Sequence, residues 1–386
     1  MYSPYTNTRY ASDVTYRNSY RTRFIGYTVE KENTVGAIIN ILGGSGAANE
    51  ASEVTYLTLG RTMVSGEELQ MILNPNGRLP PSISSRTLFY DQTTEPFYTA
   101  ILPNGTIFMT DESSNVYTII DAAKVPVNTG ITGPTPSFTG MTVSDGVLYL
   151  LDTANSTVYI ANDEGTPFVP ISITGLVNPI KIQVHGILMY FLEEGASTIK
   201  RAFASGGPAT VIAGSTAGFA DGASPKFNMP MGFAIDRNGE NLYIADTGNS
   251  LIRSLSLSTY SASTIAGNSI VYNEPTPTDS VGNRDGNGIH GESLLYYPTD
   301  ITISPFNVIY IADTFNNNIR SLTYGNLQTI AGLPGSPPVF DRSPPGYIDG
   351  IAINSRWNLP TGIQYVNGSL YIIEPVNNAV RILQLP

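Results

Sequence analysis

Six carboxylic acids recur at one phase of the chain, and their regular placement makes them the first candidates for chemistry. Each follows an aromatic residue by three positions, and in five cases a Val or Ile comes six positions later. One acid per repeated unit could form a ring of acids around a common axis. An acid directly after a strand also commonly accepts hydrogen bonds from the next turn, which is a purely structural role. The six are Asp111, Asp152, Glu193, Asp246, Asp313 and Glu374.

The residues around these acids favour the structural role. An Asn follows three positions later in four units, and an Arg follows seven positions later in three, so both could join the same local network. The asparagines are Asn155, Asn249, Asn316 and Asn377, and the arginines are Arg253, Arg320 and Arg381. We therefore interpret the six acids as structural blade carboxylates.

Other candidate catalytic or metal-binding residues are few. The chain has no cysteine and two histidines, His185 and His290, neither of which has a second histidine at ligand spacing. Asp-Gly pairs begin at Asp221, Asp285 and Asp349, at equal intervals along the chain, and we interpret them as turns because calcium would need further oxygen ligands. The sequence predicts no catalytic residue, no metal and no cofactor.

Three sequons are candidates for N-glycosylation, at Asn104, Asn155 and Asn367. All three fall at predicted turns, where an acceptor side chain is exposed. Asn-Gly is also a favourable hairpin dipeptide in its own right, so glycosylation is a hypothesis that depends on export.

The acids end the second strand of a unit that is repeated along the chain. The sequence FAIDRNGENLYIADTGNSLIRSL (233–255) returns as ITISPFNVIYIADTFNNNIRSL (301–322) and, less closely, as IQYVNGSLYIIEPVNNAVRIL at the end. Turn dipeptides such as Asn-Gly precede the second strand, and TVIAG, STIAG and QTIAG indicate a fourth strand. Six such units close most simply as a six-bladed β-propeller.

The stretch AGSTAGFADGASPKFNMPMGFAIDRNGENLYIADTGNSLIRSL (213–255) resembles an NHL repeat, with AG, DG, FN-P, LY-ADT-N and R in the family's order. The last two units also resemble the family, through IYIADTFNNNIRSL and then WNLP with LYIIEPVNNAVRIL, so the resemblance is strongest over residues 205–386. It implies a six-bladed propeller. Related propellers that act as zinc-dependent lyases or calcium-dependent lactonases carry clustered His or acidic ligands at the central channel, and no residues here match them.

The predicted fold class is all-β: a six-bladed β-propeller of four-stranded blades over 83–386, preceded by an extended N-terminal arm (1–30) and a small α+β extension (31–82). The capping box Ser65 to Glu68 predicts a short helix in that extension. The last blade ends after its third strand, so we expect a strand near 85–90 to complete it and cover an exposed edge.

The N-terminal arm is the main candidate for assembly. Positions 1–25 hold four arginines and a single acid, which gives this segment a net charge of +3 and the rest of the chain −14. Tyr and Arg are enriched at interface hot spots, although termini also fray. The arm could pack on its own propeller or exchange between subunits. The predicted assembly residues are Tyr2, Tyr5, Arg9, Tyr10, Tyr16, Arg17, Tyr20, Arg21 and Arg23.

Composition limits the classes of partner. Only 13% of residues are charged, about half the usual share, and the net charge of −11 argues against nucleic acid. No apolar run is long enough to predict a membrane span, and no signal peptide is visible. The neutral polar, Tyr-rich surface favours an extracellular or virion setting.

Three functional hypotheses remain open from the sequence. The leading one is a non-enzymatic structural protein that self-associates through its arm into an extracellular filament, surface layer or virion component. The alternative is a recognition module that binds a peptide or glycan through the long connections 271–297 and 333–356. The second alternative is a metal-dependent lyase or lactonase-like enzyme.

Overall fold

The computed structural model describes residues 83–161, 167–268, 281–288, 292–334 and 342–385, together with four short strands nearer the N-terminus. The chain divides into two compact units, Met1–Ser82 with Pro386, and Ile83–Leu385. In the first unit Val29–Lys31 pairs with Thr34–Gly36, and Thr58–Leu59 pairs with Thr62–Met63. The arm residues from Tyr2 to Arg23 and the helix predicted after Ser65 lie outside the described residues.

The second unit is a six-bladed β-propeller, and each blade has four antiparallel strands, of which the first lies innermost. Blade 1 contains Pro96–Ile101, Ile107–Asp111, Val116–Ile120 and Ala123–Pro126; blade 2 contains Phe138–Ser144, Val147–Asp152, Thr157–Ala161 and Val169–Thr174; blade 3 contains Lys181–His185, Leu188–Glu193, Thr198–Phe203 and Thr210–Gly214. Blade 4 contains Gly232–Ile235, Asn241–Asp246, Leu251–Ser256 and Ala262–Ala266; blade 5 contains Pro298–Ile303, Ile309–Asp313, Asn318–Thr323 and Asn326–Ala331; blade 6 contains Gly362–Val366, Ser369–Glu374, Ala379–Gln384 and Ser84–Tyr90. The predicted fold class and blade number are confirmed.

Blade 6 is built from both ends of the unit. Its outer strand, Ser84–Tyr90, pairs antiparallel with Ala379–Gln384, so this strand occupies the edge that the sequence left open. Just beyond it, Asp91 forms an ion pair of 2.8 Å with Lys124 in the outer strand of blade 1. The junction between the last and the first blade is thereby closed by both backbone pairing and charge.

Three blades differ from the predicted four strands, because a short segment of a connection adds a fifth. Gly207–Pro208 pairs with blade 2, Gly286–Asn287 with blade 5, and Gly350–Ile351 with blade 6. The outer strand of a blade exposes unpaired backbone groups, and these two-residue strands satisfy part of that edge.

The apolar core lies between neighbouring blades. Phe233 and Leu242 of blade 4, for example, pack with Tyr190, Leu192 and Ile199 of blade 3 in one buried cluster. Contacts between the innermost strands run from blade to blade and return from blade 6 to blade 1. No blade could bury its apolar face alone, which is why the repeats must stack.

The first strand of every blade begins at the same end of the propeller, and the second strand returns to that end. We call this end the carboxylate face, because each of the six blade carboxylates closes a second strand there. In blades 4 to 6 the turn that follows is a short 3₁₀ helix, and another such helix lies in the connection to blade 6. These helices are Thr247–Asn249, Thr314–Asn316, Pro375–Asn377 and Ala352–Asn354.

The two-residue hairpins lie at the opposite end of the propeller. In blade 6, Asn367 and Gly368 have φ angles of 47° and 79°, as a tight hairpin turn requires.

Candidate functional site

The blade carboxylates join the turn of their own blade to the connection that enters it. Asp246 is fully buried and accepts hydrogen bonds from the Asn228 backbone N–H at 2.7 Å, the Asn249 amide at 2.9 Å and Arg253 at 2.7 Å. Asp313 and Glu374 make the corresponding three contacts in blades 5 and 6. These acids are therefore engaged within their blades and do not line the channel.

The arginines of blades 4 to 6 bind a second acid that sequence reasoning had assigned only to a turn. Arg253 contacts Asp221 at 2.6 Å as well as Asp246, and its side chain is fully buried. Arg320 binds Asp285, and Arg381 binds Asp349, in the same arrangement. The common signal was an Asp-Gly pair 32 to 35 residues upstream of the Arg.

Burial is the main influence on the pKa of the blade carboxylates in blades 4 to 6. It raises the pKa of Asp246 and Asp313, and it raises the pKa of Glu374 to about 7, while the paired arginines act in the opposite direction. Asp349 is more exposed. There burial opposes ionisation, but hydrogen bonds from Thr87 together with Arg381 hold the pKa of Asp349 below its ordinary value.

In the first three blades other side chains bind the blade carboxylate. In blade 3, Lys200 stands seven positions after Glu193 and contacts it at 2.9 Å. In blade 1 the Tyr117 hydroxyl donates to Asp111 at 3.0 Å. In blade 2, Asp152 accepts from the Ser137 N–H at 2.9 Å and from the side chain of Asn155.

The sequon side chains have different surroundings. Asn104 and Asn367 lie in hairpin turns, where both residues are exposed. Asn155 is the one of the three whose side-chain nitrogen, the atom that a glycan would modify, donates to a blade carboxylate, at 2.7 Å from Asp152.

The central channel contains a cavity of about 610 Å³ lined by the innermost strands of all six blades. An ion pair crosses it: the Lys181 ammonium of blade 3 lies 2.8 Å from both carboxylate oxygens of Asp300 in blade 5. Asp300 also accepts from the Ile363 N–H of blade 6 at 3.1 Å. Three blades are thus connected through one buried carboxylate.

Aromatic side chains lie where the cavity opens at the carboxylate face. Tyr297 stacks on Phe315 with 4.6 Å between ring centroids, and both rings line the cavity. Tyr296 meets Phe315 edge-on at 5.2 Å, and the Arg342 guanidinium lies 4.3 Å from the centre of the Tyr296 ring. We call Tyr296, Tyr297, Phe315 and Arg342 the aromatic mouth.

Two long connections hold this mouth in place. The Ser343 N–H donates to Asn316 O at 3.1 Å, and Ser343 O accepts from Asn317 at 2.9 Å, so the residue after Arg342 is fixed to blade 5. Asn283 of the other connection donates to Leu333 O at 2.9 Å. The described parts of the connections named from the sequence therefore meet over blade 5, although the sequence did not single out the aromatic residues.

Other site residues named from the sequence do not join this cavity. His185 lies in the blade 3 hairpin, at the end opposite the carboxylate face, beside Gly239, and His290 is outside the described residues. Within the described ranges no group of three or more His, Cys, Asp or Glu residues is placed to hold a metal ion. None of the helices in that part of the chain has the length and apolar character that a membrane crossing requires.

Comparison with known proteins gives a fold and no family. No protein-family model matches the chain, so the likeness to NHL repeats stays a resemblance. The curated Arabidopsis thaliana protein SUPPRESSOR OF QUENCHING 1, chloroplastic, is 26% identical over 204 residues, which are 52% of this chain and 17% of that protein. The match therefore spans about a sixth of that relative's own length.

Solved structures resemble the chain over most of its length. A Bacteroides thetaiotaomicron protein of unknown function covers 93% of this chain and 90% of its own, with a TM-score of 0.60 and 16% identity. An auxiliary nutrient binding protein from Bacteroides ovatus covers 90% and 88%, with a TM-score of 0.59 and 14% identity. Virginiamycin B lyase from Staphylococcus aureus covers 79% and 100%, with a TM-score of 0.50 and 15% identity. At these identities the likeness shows the fold alone, which is that of a six-bladed β-propeller.

Proposed function

We propose that this protein is a non-enzymatic recognition module whose ligand occupies the central cavity and the aromatic mouth. The cavity carries the proposal: its volume of about 610 Å³ lies within the range of roughly 300–1,000 Å³ that is typical of small-molecule sites. Tyr297 and Phe315 offer partly exposed rings at its opening. Two of the solved structures with this fold are described as auxiliary nutrient binding proteins, which is compatible with binding as the function.

The charged groups in the channel favour binding over catalysis. Lys181 and Asp300 satisfy each other, and Asp300 is further held by a backbone N–H. The contacts of both groups are those of an ion pair that connects blades, so we assign the pair to structure and ligand positioning and not to general acid–base chemistry. The chain is for this reason proposed not to be an enzyme of the lyase or lactonase type.

A thermal-stability screen tests the proposal. The full chain is heated with a library of sugars, amino acids, organic acids, nucleosides and aromatic compounds, and a ligand that binds the folded state raises the melting temperature. We expect at least one compound to stabilise the parent protein and not Phe315→Ala. Phe203→Ala is the control, because Phe203 is 58% exposed at the opposite end of blade 3.

Two results would contradict recognition at the mouth. One is a library in which no compound shifts the melting temperature of the parent protein. The other is a set of ligands that stabilise Phe315→Ala and the parent protein equally.

A second candidate function is self-assembly through the N-terminal arm, in an extracellular filament, surface layer or virion. The observation that favours it is the charge of +3 on positions 1–25 against −14 on the remainder. We expect deletion of positions 1–25 to abolish polymers visible by electron microscopy. Polymers that form unchanged without the arm, or a parent protein that stays monomeric, would contradict assembly. On export, glycans are expected at Asn104 and Asn367, the sequons in hairpin turns.

A further inference from the structure

One level of the channel is built differently in alternate blades. Each blade contributes one residue of its innermost strand to this level. That residue pairs with the position just before the blade carboxylate: Asp300 pairs with Ala312, and Lys181 pairs with Leu192. Glycine occupies this position in blades 2, 4 and 6, whereas blades 1, 3 and 5 carry hydrogen-bonding side chains. The six residues in blade order are Tyr98, Gly140, Lys181, Gly232, Asp300 and Gly362.

Two of the glycines, Gly140 and Gly232, allow neighbouring blades to approach closely at this level. A Cβ atom on Gly232 would lie 2.6 Å from the Cα atom of Asp300 and 2.7 Å from its carboxylate. A Cβ on Gly140 would lie 3.3 Å from the Cα atom of Lys181. We call Tyr98, Lys181 and Asp300 the channel triad, and all three line the cavity.

The channel triad has hydrogen-bonding capacity that the protein leaves unused. Lys181 directs two bonds to Asp300, which leaves one of its three ammonium hydrogens. The Tyr98 hydroxyl has no hydrogen-bond partner among the described residues. Burial, and then the charge of Asp300, raise the pKa of Tyr98, so its hydroxyl stays protonated and can donate. The triad therefore offers two donors to a ligand oxygen.

The remaining lining determines which ligand suits these donors. The Lys181 charge is neutralised by Asp300, and Glu95 is the further charged residue among those that line the cavity, so an anionic ligand gains little. Phe97, which is 42% exposed, lines the same cavity as the rings of Tyr297 and Phe315. A ligand with an apolar ring face and several hydroxyl groups matches aromatic surfaces combined with neutral donors.

We propose that the cavity binds a neutral saccharide, whose hydroxyl groups are held by the channel triad and whose ring packs on the aromatic mouth. This inference rests on the proposed recognition function and adds the ligand class and the residues that select it. Tyr98 and Lys181 donate to sugar oxygens. The aromatic rings cover the C–H face of the sugar and exclude water from it.

The test uses the full chain on an array of neutral oligosaccharides of glucose, galactose, mannose and N-acetylglucosamine, with uronate-containing and sialylated oligosaccharides beside them. The neutral oligosaccharide that binds best is then titrated by calorimetry. Loss of one buried hydrogen bond corresponds to roughly tenfold weaker binding, so we expect Tyr98→Phe to bind about ten times more weakly. Tyr243→Phe is the matched control, since Tyr243 lies in blade 4 outside the cavity lining, and it should bind like the parent protein.

The outcomes distinguish the saccharide site from the recognition function. Binding to neutral oligosaccharides that weakens in Tyr98→Phe, with an unchanged melting temperature, supports the saccharide site. Exclusive binding to the anionic oligosaccharides, or equal binding by Tyr98→Phe and the parent protein, overturns it. A non-sugar ligand from the thermal screen that requires Phe315 would overturn the saccharide inference and leave the recognition function standing. Binding of no compound in either assay overturns both.

Discussion

Replacement of Arg253 by methionine should destabilise the whole propeller, although Arg253 is far from the proposed ligand. Its guanidinium is fully buried in blade 4 and donates to Asp246, to Asp221 and to the backbone oxygens of Ala220 and Lys226. Methionine fills similar volume but donates nothing. The variant therefore leaves the Asp246 carboxylate buried beside an apolar side chain.

The size of the effect follows from the two acids separately. Removal of one partner from a buried ion pair costs about 3–5 kcal/mol, because the remaining charge cannot return to water. This applies to Asp246, which is fully buried, whereas the Asp221 side chain is 41% exposed and can be hydrated again. We expect Arg253→Met to lower the free energy of unfolding by about 3–5 kcal/mol, nearly all of it from Asp246.

Urea unfolding of three variants separates this explanation from simple loss of packing. Arg237→Met removes an exposed arginine of the same blade and should change stability by less than about 0.5 kcal/mol. Arg253→Met combined with Asp246→Asn removes the stranded charge but keeps an acceptor for Asn228, so this double variant should be more stable than Arg253→Met alone. The reasoning fails if the double variant is the less stable of the two, or if Arg253→Met unfolds like the parent protein.

Three further predictions concern ring closure and the channel. A hydrogen bond from Lys124 holds the pKa of the Asp91 carboxyl below its ordinary value of 3.8. The ionised Asp91 should therefore stabilise the propeller fully above about pH 4, and this contribution should be lost as the pH falls. Acid unfolding of Asp91→Asn should accordingly show a weaker pH dependence than that of the parent protein. Gly232→Ala should cost about 1–3 kcal/mol by thermal unfolding because its Cβ would meet backbone atoms at 2.6 Å, whereas Gly195→Ala, with open space around it, should cost less than about 0.5 kcal/mol. Deletion of Ser84–Tyr90 should expose the edge of the last blade and produce concentration-dependent association by light scattering, and a monomer that keeps the parent protein's stability would refute this.

The fold could be predicted from the sequence because the contacts that define each blade are between residues close together in the chain. The aromatic residue, the blade carboxylate and the turn that follows are close together in the chain, and their repetition defines the blades. The same logic placed Asn249 and Arg253 beside Asp246, which is where the structure has them. It missed the second partner, Asp221, because that contact depends on a connection packing against a strand 32 residues later.

The channel triad could not be assembled from local patterns. Lys181 and Asp300 are 119 residues apart and meet only because the ring closes. A signal was nevertheless present: Pro-x-Gly at 230–232 and 360–362 becomes Pro-x-Lys at 179–181 and Pro-x-Asp at 298–300. These replacements become informative once the innermost strands of the six blades are aligned on the blade carboxylates.

Repetition within the chain provides an internal control that separates structural residues from functional ones. At the blade carboxylate position all six blades keep an acid, and each acid binds its own blade, so blade construction accounts for it. At the channel position glycine is sufficient for three blades, so blade construction does not require the other three side chains. Burying the Lys181–Asp300 pair costs desolvation that an apolar pair would avoid, and the Tyr98 hydroxyl, which lines the cavity, has no partner among the described residues. The Lys181–Asp300 pair joins blades 3, 5 and 6, but this contact uses neither the remaining hydrogen of Lys181 nor the Tyr98 hydroxyl. A ligand that accepts from both donors is the simplest physical reason for their presence.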